Sequence, residues 1–110
     1  MRSQPLEILP GTLDLLILRA LQRGALHGYA IMQAIKERSD EVLQVGESSL
    51  YPALQRLLLN GWVEAEWGAS ENNRRARYYT LTVAGRKQLA SERADIERMM
   101  AAIQKVLQTA

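Results

Sequence analysis

The sequence contains no cysteine. Disulfides, thiolate metal sites and a cysteine nucleophile are therefore excluded. Phenylalanine is absent too, and the aromatic residues are two Trp and four Tyr. The core must be aliphatic, built from Leu, Ile, Ala and Val. A single histidine, His27, cannot build a histidine metal cluster, and no metal or cofactor is expected. No apolar run reaches the length of about 18 residues that a membrane helix needs, and no charged-then-apolar leader opens the chain. The expectation is a soluble, cytoplasmic protein with no membrane partner.

What is present is an ordinary globular composition. Of 110 residues, 47% are apolar and 24% charged, which suits one domain with a real core. The net charge of +2 hides an uneven distribution. Residues 1–47 carry five basic and six acidic side chains, residues 48–87 six and three, and residues 88–110 three and three. The excess is sharpest at Arg74, Arg75 and Arg77. A local basic patch on a near-neutral domain suggests a polyanion partner met by one surface. Charge alone fits a solvated basic loop equally well.

Apolar spacing predicts the elements. Residues 1–9 read as a loose arm, and Pro10 suits a helix start. Leu13, Leu16, Ile17, Ala20 and Leu21 follow the spacing of a buried helix face. Leu15 and Leu18 point away from that face, which predicts a second buried side, against another subunit. Gly24 is expected to end this helix. His27-Gly28 opens a second, with Ile31, Met32 and Ile35 on one face and a polar close at residues 36–40. Ser48 or Ser49 can cap a third, which places Pro52 in its first turn. Leu50, Leu54, Leu57 and Leu58 form its inward stripe, and Asn60-Gly61 a left-handed stop. Val63, Ala65 and Trp67 alternate with Glu64 and Glu66 as a strand. A polar loop and the strand-like Arg77-Tyr78-Tyr79-Thr80-Leu81 complete a hairpin. Thr82 caps a last helix, in which Leu89, Ile96, Met99, Ile103 and Val106 hold a and d positions of a heptad and Glu92 the remaining d. Such a seam is a pairing surface, so Leu15 and Leu18 with these five are the expected dimer contacts.

The fold class is mainly α with a small β-hairpin, a winged helix-turn-helix plus a C-terminal dimerisation helix. Its expected division is 1–82 and 83–110, in one compact unit. Helices two and three have helix-turn-helix spacing, in which the second helix lies in the major groove. Ser48, Pro52, Gln55, Arg56 and Leu59 face outward, with Tyr51 on the flank. Arg can grip guanine and Gln adenine. Ser and Tyr hydroxyls suit phosphates. The expected DNA-binding set is Ser48, Ser49, Tyr51, Pro52, Gln55 and Arg56 on the helix with Asn73, Arg74, Arg75 and Arg77 on the wing. An arginine-rich tip can follow the backbone or enter the minor groove. No carboxylate pair, nucleophile triad or phosphate-binding glycine loop accompanies His27, so an enzyme is not expected.

Four blocks resemble the PadR family in order. These are residues 9–18, opening Leu9-Pro10-Gly11-Thr12; Leu26-His27-Gly28-Tyr29-Ala30-Ile31; Ser49-Leu50-Tyr51-Pro52-Ala53-Leu54-Gln55-Arg56-Leu57; and residues 71–79, followed by Leu81-Thr82 and Gly85. The resemblance covers residues 9 to about 87. It implies a homodimeric regulator, usually a repressor, that binds double-stranded DNA at a palindromic operator and often responds to a small hydrophobic or aromatic effector. Some relatives of the compact subfamily hold planar ligands with a Trp on the last helix. This sequence has no Trp after Trp67, and no effector residues are assigned. Two other functions fit the residues: a winged helix for protein–protein contact, and a small-molecule-binding dimer without DNA affinity.

Overall fold

The computed structural model describes residues 4–9 and 11–109. Its elements run β1 (Leu6–Glu7), α1 (Thr12–Ala20), β2 (Leu26–His27), α2 (Gly28–Arg38), β3 (Leu43–Gln44), α3 (Glu47–Leu59), β4 (Val63–Ala69), β5 (Arg75–Leu81) and α4 (Val83–Gln108). The mainly helical winged helix-turn-helix with a small hairpin is therefore the observed architecture. Three strands of two residues each are additions to it. β1 pairs in parallel with β3, so part of the expected loose arm is tied down. β2 pairs with β5, which joins β4 in a sheet of order β2-β5-β4. The helix start expected at Pro10 lies outside the described residues.

α1 is the central helix, touching α2, α3 and α4. Its buried residues are Leu15, Ile17, Leu18 and Ala20. Leu13 and Leu16, expected inward, are half-buried. The two-sided apolar pattern thus has a local cause: both sides are covered by the same chain. Leu15 and Leu18 are core residues, and the expectation that they meet another subunit is corrected. The helix also stops at Ala20, before Gly24, because residues 21–24 fold into successive turns closed by Gln22 N–H to Arg19 and Gly24 N–H to Leu21.

α2 begins as expected. The His27 Nδ1 accepts a hydrogen bond from the Ala30 amide at 3.1 Å and satisfies a donor that the first turn would otherwise leave orphaned. α3 begins earlier than expected. Its cap is Gly46, with no side-chain cap bond, so Ser48 and Ser49 lie inside the first turn and do not cap. Pro52 then falls in the second turn, where it has no N–H to give the Ser48 carbonyl. The far end follows the sequence. Gly61 has φ 74°, and the bonds Trp62 N–H to Leu57 O and Gly61 N–H to Leu58 O make a Schellman stop.

Ile17, Leu18, Leu21, Ile31, Leu50, Leu54, Leu57 and Val63 are fully buried. Each contributes roughly 1.5–3 kcal/mol of burial. The last helix packs on α1 and is docked at its start by a joint to the α3–β4 corner. The Thr82 hydroxyl donates to the Gly61 carbonyl at 2.7 Å and accepts from the Gly85 amide at 2.9 Å. A Cβ on Gly85 would collide with the Trp62 carbonyl and reach within 2.8 Å of Leu81. Leu89, the first of the expected pairing residues, is buried at this joint and is corrected to a core residue. Beyond Ile96 the helix leaves the core, and Met99, Ile103 and Val106 are exposed. No helix among the described residues is long and apolar enough to cross a membrane.

Candidate nucleic-acid interface

α3 presents Ser48, Ser49, Tyr51, Pro52, Gln55 and Leu59 at its surface. Tyr51 is the anchored member. Its ring lies so close to the start of α2 that a Cβ on Gly28 would come within 2.7 Å of the hydroxyl. Burial, then the charge of Glu47, then Tyr79 raise its phenol above the ordinary tyrosine value of 10.0. The hydroxyl therefore keeps its proton and remains a donor, which suits a phosphate oxygen.

Arg56 is placed differently from expectation. Its guanidinium donates to Asp14 on α1 at 2.8 Å. A helical wheel puts Arg56 on the outward face, but it cannot register a carboxylate 42 positions away. In this structure Arg56 ties α3 to α1.

The hairpin has two unlike faces because side chains alternate along each strand. The register pairs Val63 with Leu81, Ala65 with Tyr79, Trp67 with Arg77 and Ala69 with Arg75. These residues share the face that begins in the core. Toward the tip the same face turns basic and aromatic. The Arg77 guanidinium lies 5.9 Å from the Tyr79 ring centroid, and that of Arg75 lies 4.6 Å from Trp67. The opposite face carries Glu64 and Glu66 beside Thr80 and Tyr78. The acidic residues of the hairpin strands are thus held away from its arginines. Its tip is closed by Ser70 N–H to Arg74 O at 2.8 Å and Asn73 N–H to Ser70 O at 2.9 Å. Asn73 has φ 56°, so its established role is the left-handed turn position. Arg74 is exposed at the tip.

The basic face and α2 are the walls of a groove of about 920 Å³. Trp67, Arg75 and Arg77 line one side, and Tyr29 and Gln33 the other, with Tyr51 also contributing. The Gln33 amide donates to the Tyr29 hydroxyl at 2.7 Å. The β2–β5 pairing fixes the width of the groove, because it fastens the start of α2 to the wing. His27 packs edge-on against Tyr78 with centroids 5.4 Å apart. Its place is structural, as a cap and a packing residue. The structure therefore brings Tyr51, Arg75 and Arg77 together at one groove, puts Arg74 at its tip, and leaves Arg56 exposed outside the groove, paired with Asp14. Tyr29, Gln33 and Trp67 belong to the groove and were not among the expected site residues. The one available signal was that Trp67 follows the inward alternation of β4 past the point where the core ends.

This geometry is that of known regulators. The family described as transcriptional regulator PadR-like matches residues 17–91. A transcriptional regulator from Clostridium thermocellum is 33% identical, covers 86% of this chain and 92% of its own, and superposes with a TM-score of 0.78. An uncharacterised protein of Lysinibacillus sphaericus is 31% identical, with 86% of this chain and 89% of that protein covered. PadR of Bacillus subtilis, solved in complex with operator DNA, is 29% identical with a TM-score of 0.65; the match covers 73% of this chain and 46% of that one.

Proposed function

The chain belongs to the transcriptional regulator PadR-like family, whose members are regulators and not enzymes, and from that premise we propose that it is a homodimeric repressor that binds a palindromic operator in double-stranded DNA. The observation that carries this reading is the groove itself. It sets a basic, aromatic wing face across from α2, with Tyr51 reaching in from α3 and the hairpin's strand carboxylates turned away. Such a surface meets a phosphodiester backbone by charge and bases by side-chain donors. Ser48, Ser49, Tyr51, Pro52 and Gln55 are assigned to the major groove. Arg74, Arg75 and Arg77 supply phosphate attraction, with Asn73 shaping their turn.

The pairing surface is assigned to the free part of the last helix, Ile96, Met99, Ile103 and Val106. Residues 1–82 are then the DNA-binding part and 83–110 the pairing helix. Pairing would set two copies of α3 about one DNA turn apart, roughly 34 Å. The exposed Met99 and Met100 make that surface adaptable, which suits release by a small hydrophobic or aromatic effector. The repressor sign follows the family resemblance, and a cytoplasmic site of action follows from the DNA partner.

Fluorescence-polarisation binding tests the proposal, using the DNA upstream of the protein's own gene against a scrambled duplex over a salt series. Tight, selective binding with a steep salt slope is expected. Retained pairing without duplex affinity would favour the protein-contact or ligand-carrier functions instead.

A further inference from the structure

The wing holds its arginines in a manner that charge alone does not require. Arg75 and Trp67 are diagonal neighbours on one face of the hairpin, since Trp67 pairs with Arg77 and Arg75 with Ala69. The indole is 58% exposed, yet its face is the surface on which the Arg75 guanidinium rests, 4.6 Å from the ring centroid. Both side chains line the groove against α2. A long side chain at an unsupported tip samples many rotamers, and ordering it on binding costs affinity. An aromatic face beneath the guanidinium limits that sampling beforehand. It also leaves the in-plane N–H donors free at the guanidinium edge.

We propose that Trp67 is a positioning residue of the DNA interface, holding Arg75 flat in the groove so that its donor edge meets one phosphodiester strand lying between the wing and α2. This inference rests on the DNA-binding function proposed above. Glu37 and Glu71 also line the groove, so the attraction is local to Arg38, Arg75 and Arg77. The orientation of Arg75 therefore matters more than the net charge of the groove.

The experiment separates orientation from charge. Full-length protein is titrated onto a mixed-sequence duplex long enough to offer two successive major grooves, over a salt series, with thermal melting of every variant in parallel. Trp67→Ala keeps every charge. It is expected to weaken binding about three- to fivefold per wing with an unchanged salt slope and an unchanged melting temperature. Trp67→Phe restores most of the loss. Arg75→Ala weakens binding and lowers the slope by about one unit per wing. The double variant binds no worse than Arg75→Ala, because the indole then has nothing to position. Wild-type binding that survives Trp67→Ala, or losses that add in the double variant, overturns the positioning role and leaves DNA binding standing. A lowered melting temperature that Trp67→Phe does not restore assigns Trp67 to wing stability and also overturns it. Wild-type protein with no duplex affinity overturns the DNA-binding function, and this inference with it.

Discussion

The two halves of α4 carry the same heptad and lead different lives. In the first half, Gly85 and Leu89 are buried against the body of the same chain. In the second, Met99, Ile103 and Val106 repeat the spacing with nothing of their own chain over them. Leu89 is 4% exposed and Ile103 is 49% exposed. Apolar periodicity states that a face will be covered. It does not state by what. The covering partner depends on whether the rest of the chain has a concave apolar surface left over, and here the surface made by α1 and the α3–β4 corner is used up by the stretch of α4 that ends at Ile96. The same rule explains α1, where Leu15 and Leu18 looked like a second interface and proved to be core.

The comparison can be broken most forcefully at Gly85. A methyl there meets the Trp62 carbonyl and the Leu81 side-chain end, and the carbonyl is backbone that cannot move aside cheaply. Gly85→Ala should therefore cost at least about 3 kcal/mol, visible as a large fall in melting temperature at every protein concentration. Leu89→Ala tests the same half more gently. It removes a buried side chain and should cost about 2–3 kcal/mol, again without concentration dependence. A Leu89→Ala variant that melts normally but fails to pair would return Leu89 to the interface.

The free half should respond in the opposite sense. Ile103→Asp places a charge on the proposed pairing face, where burying it unpaired costs at least about 2 kcal/mol, or roughly thirtyfold in the dimer dissociation constant. Sedimentation equilibrium should show this as a shift toward monomer, with circular dichroism unchanged in dilute solution. Ile96 stands between the halves, half-buried and packed on the core. Ile96→Ala should move both readouts by about 1 kcal/mol each. If it moves only one, the boundary lies to one side of Ile96.

Local chemistry was the legible part of this chain. His27 and Thr82 cap the helices they were expected to open, and Asn60-Gly61 ends α3, because each signal acts within a few residues. The α3 start moved because Ser48 and Ser49 were expected to cap it, while Gly46 makes the cap without a side chain. The strands β1, β2 and β3 are too short to show any period. The ion pair of Arg56 was not legible, for a different reason. Its partner Asp14 is brought near only by the packing of α1 on α3. Trp67 follows the alternation of Val63 and Ala65 and carried no assigned role, but the hairpin extends past the core edge, and there the same face becomes a groove wall.

The smallest effect is expected on the solvent side of the same helix. Arg93 donates to Glu97 at 2.9 Å, with both side chains about 60% exposed. The pair spans one turn in the less favourable order, basic residue first. Neither residue occupies an a or d position of the proposed pairing face. Arg93→Ala should change stability by no more than about 0.5 kcal/mol and leave the dimer constant where it was. A larger change in the dimer constant would mean that the pairing face extends around α4 beyond the Met99–Ile103–Val106 stripe. The contrast between a buried half and a paired half would then have to be redrawn around the helix instead of along it.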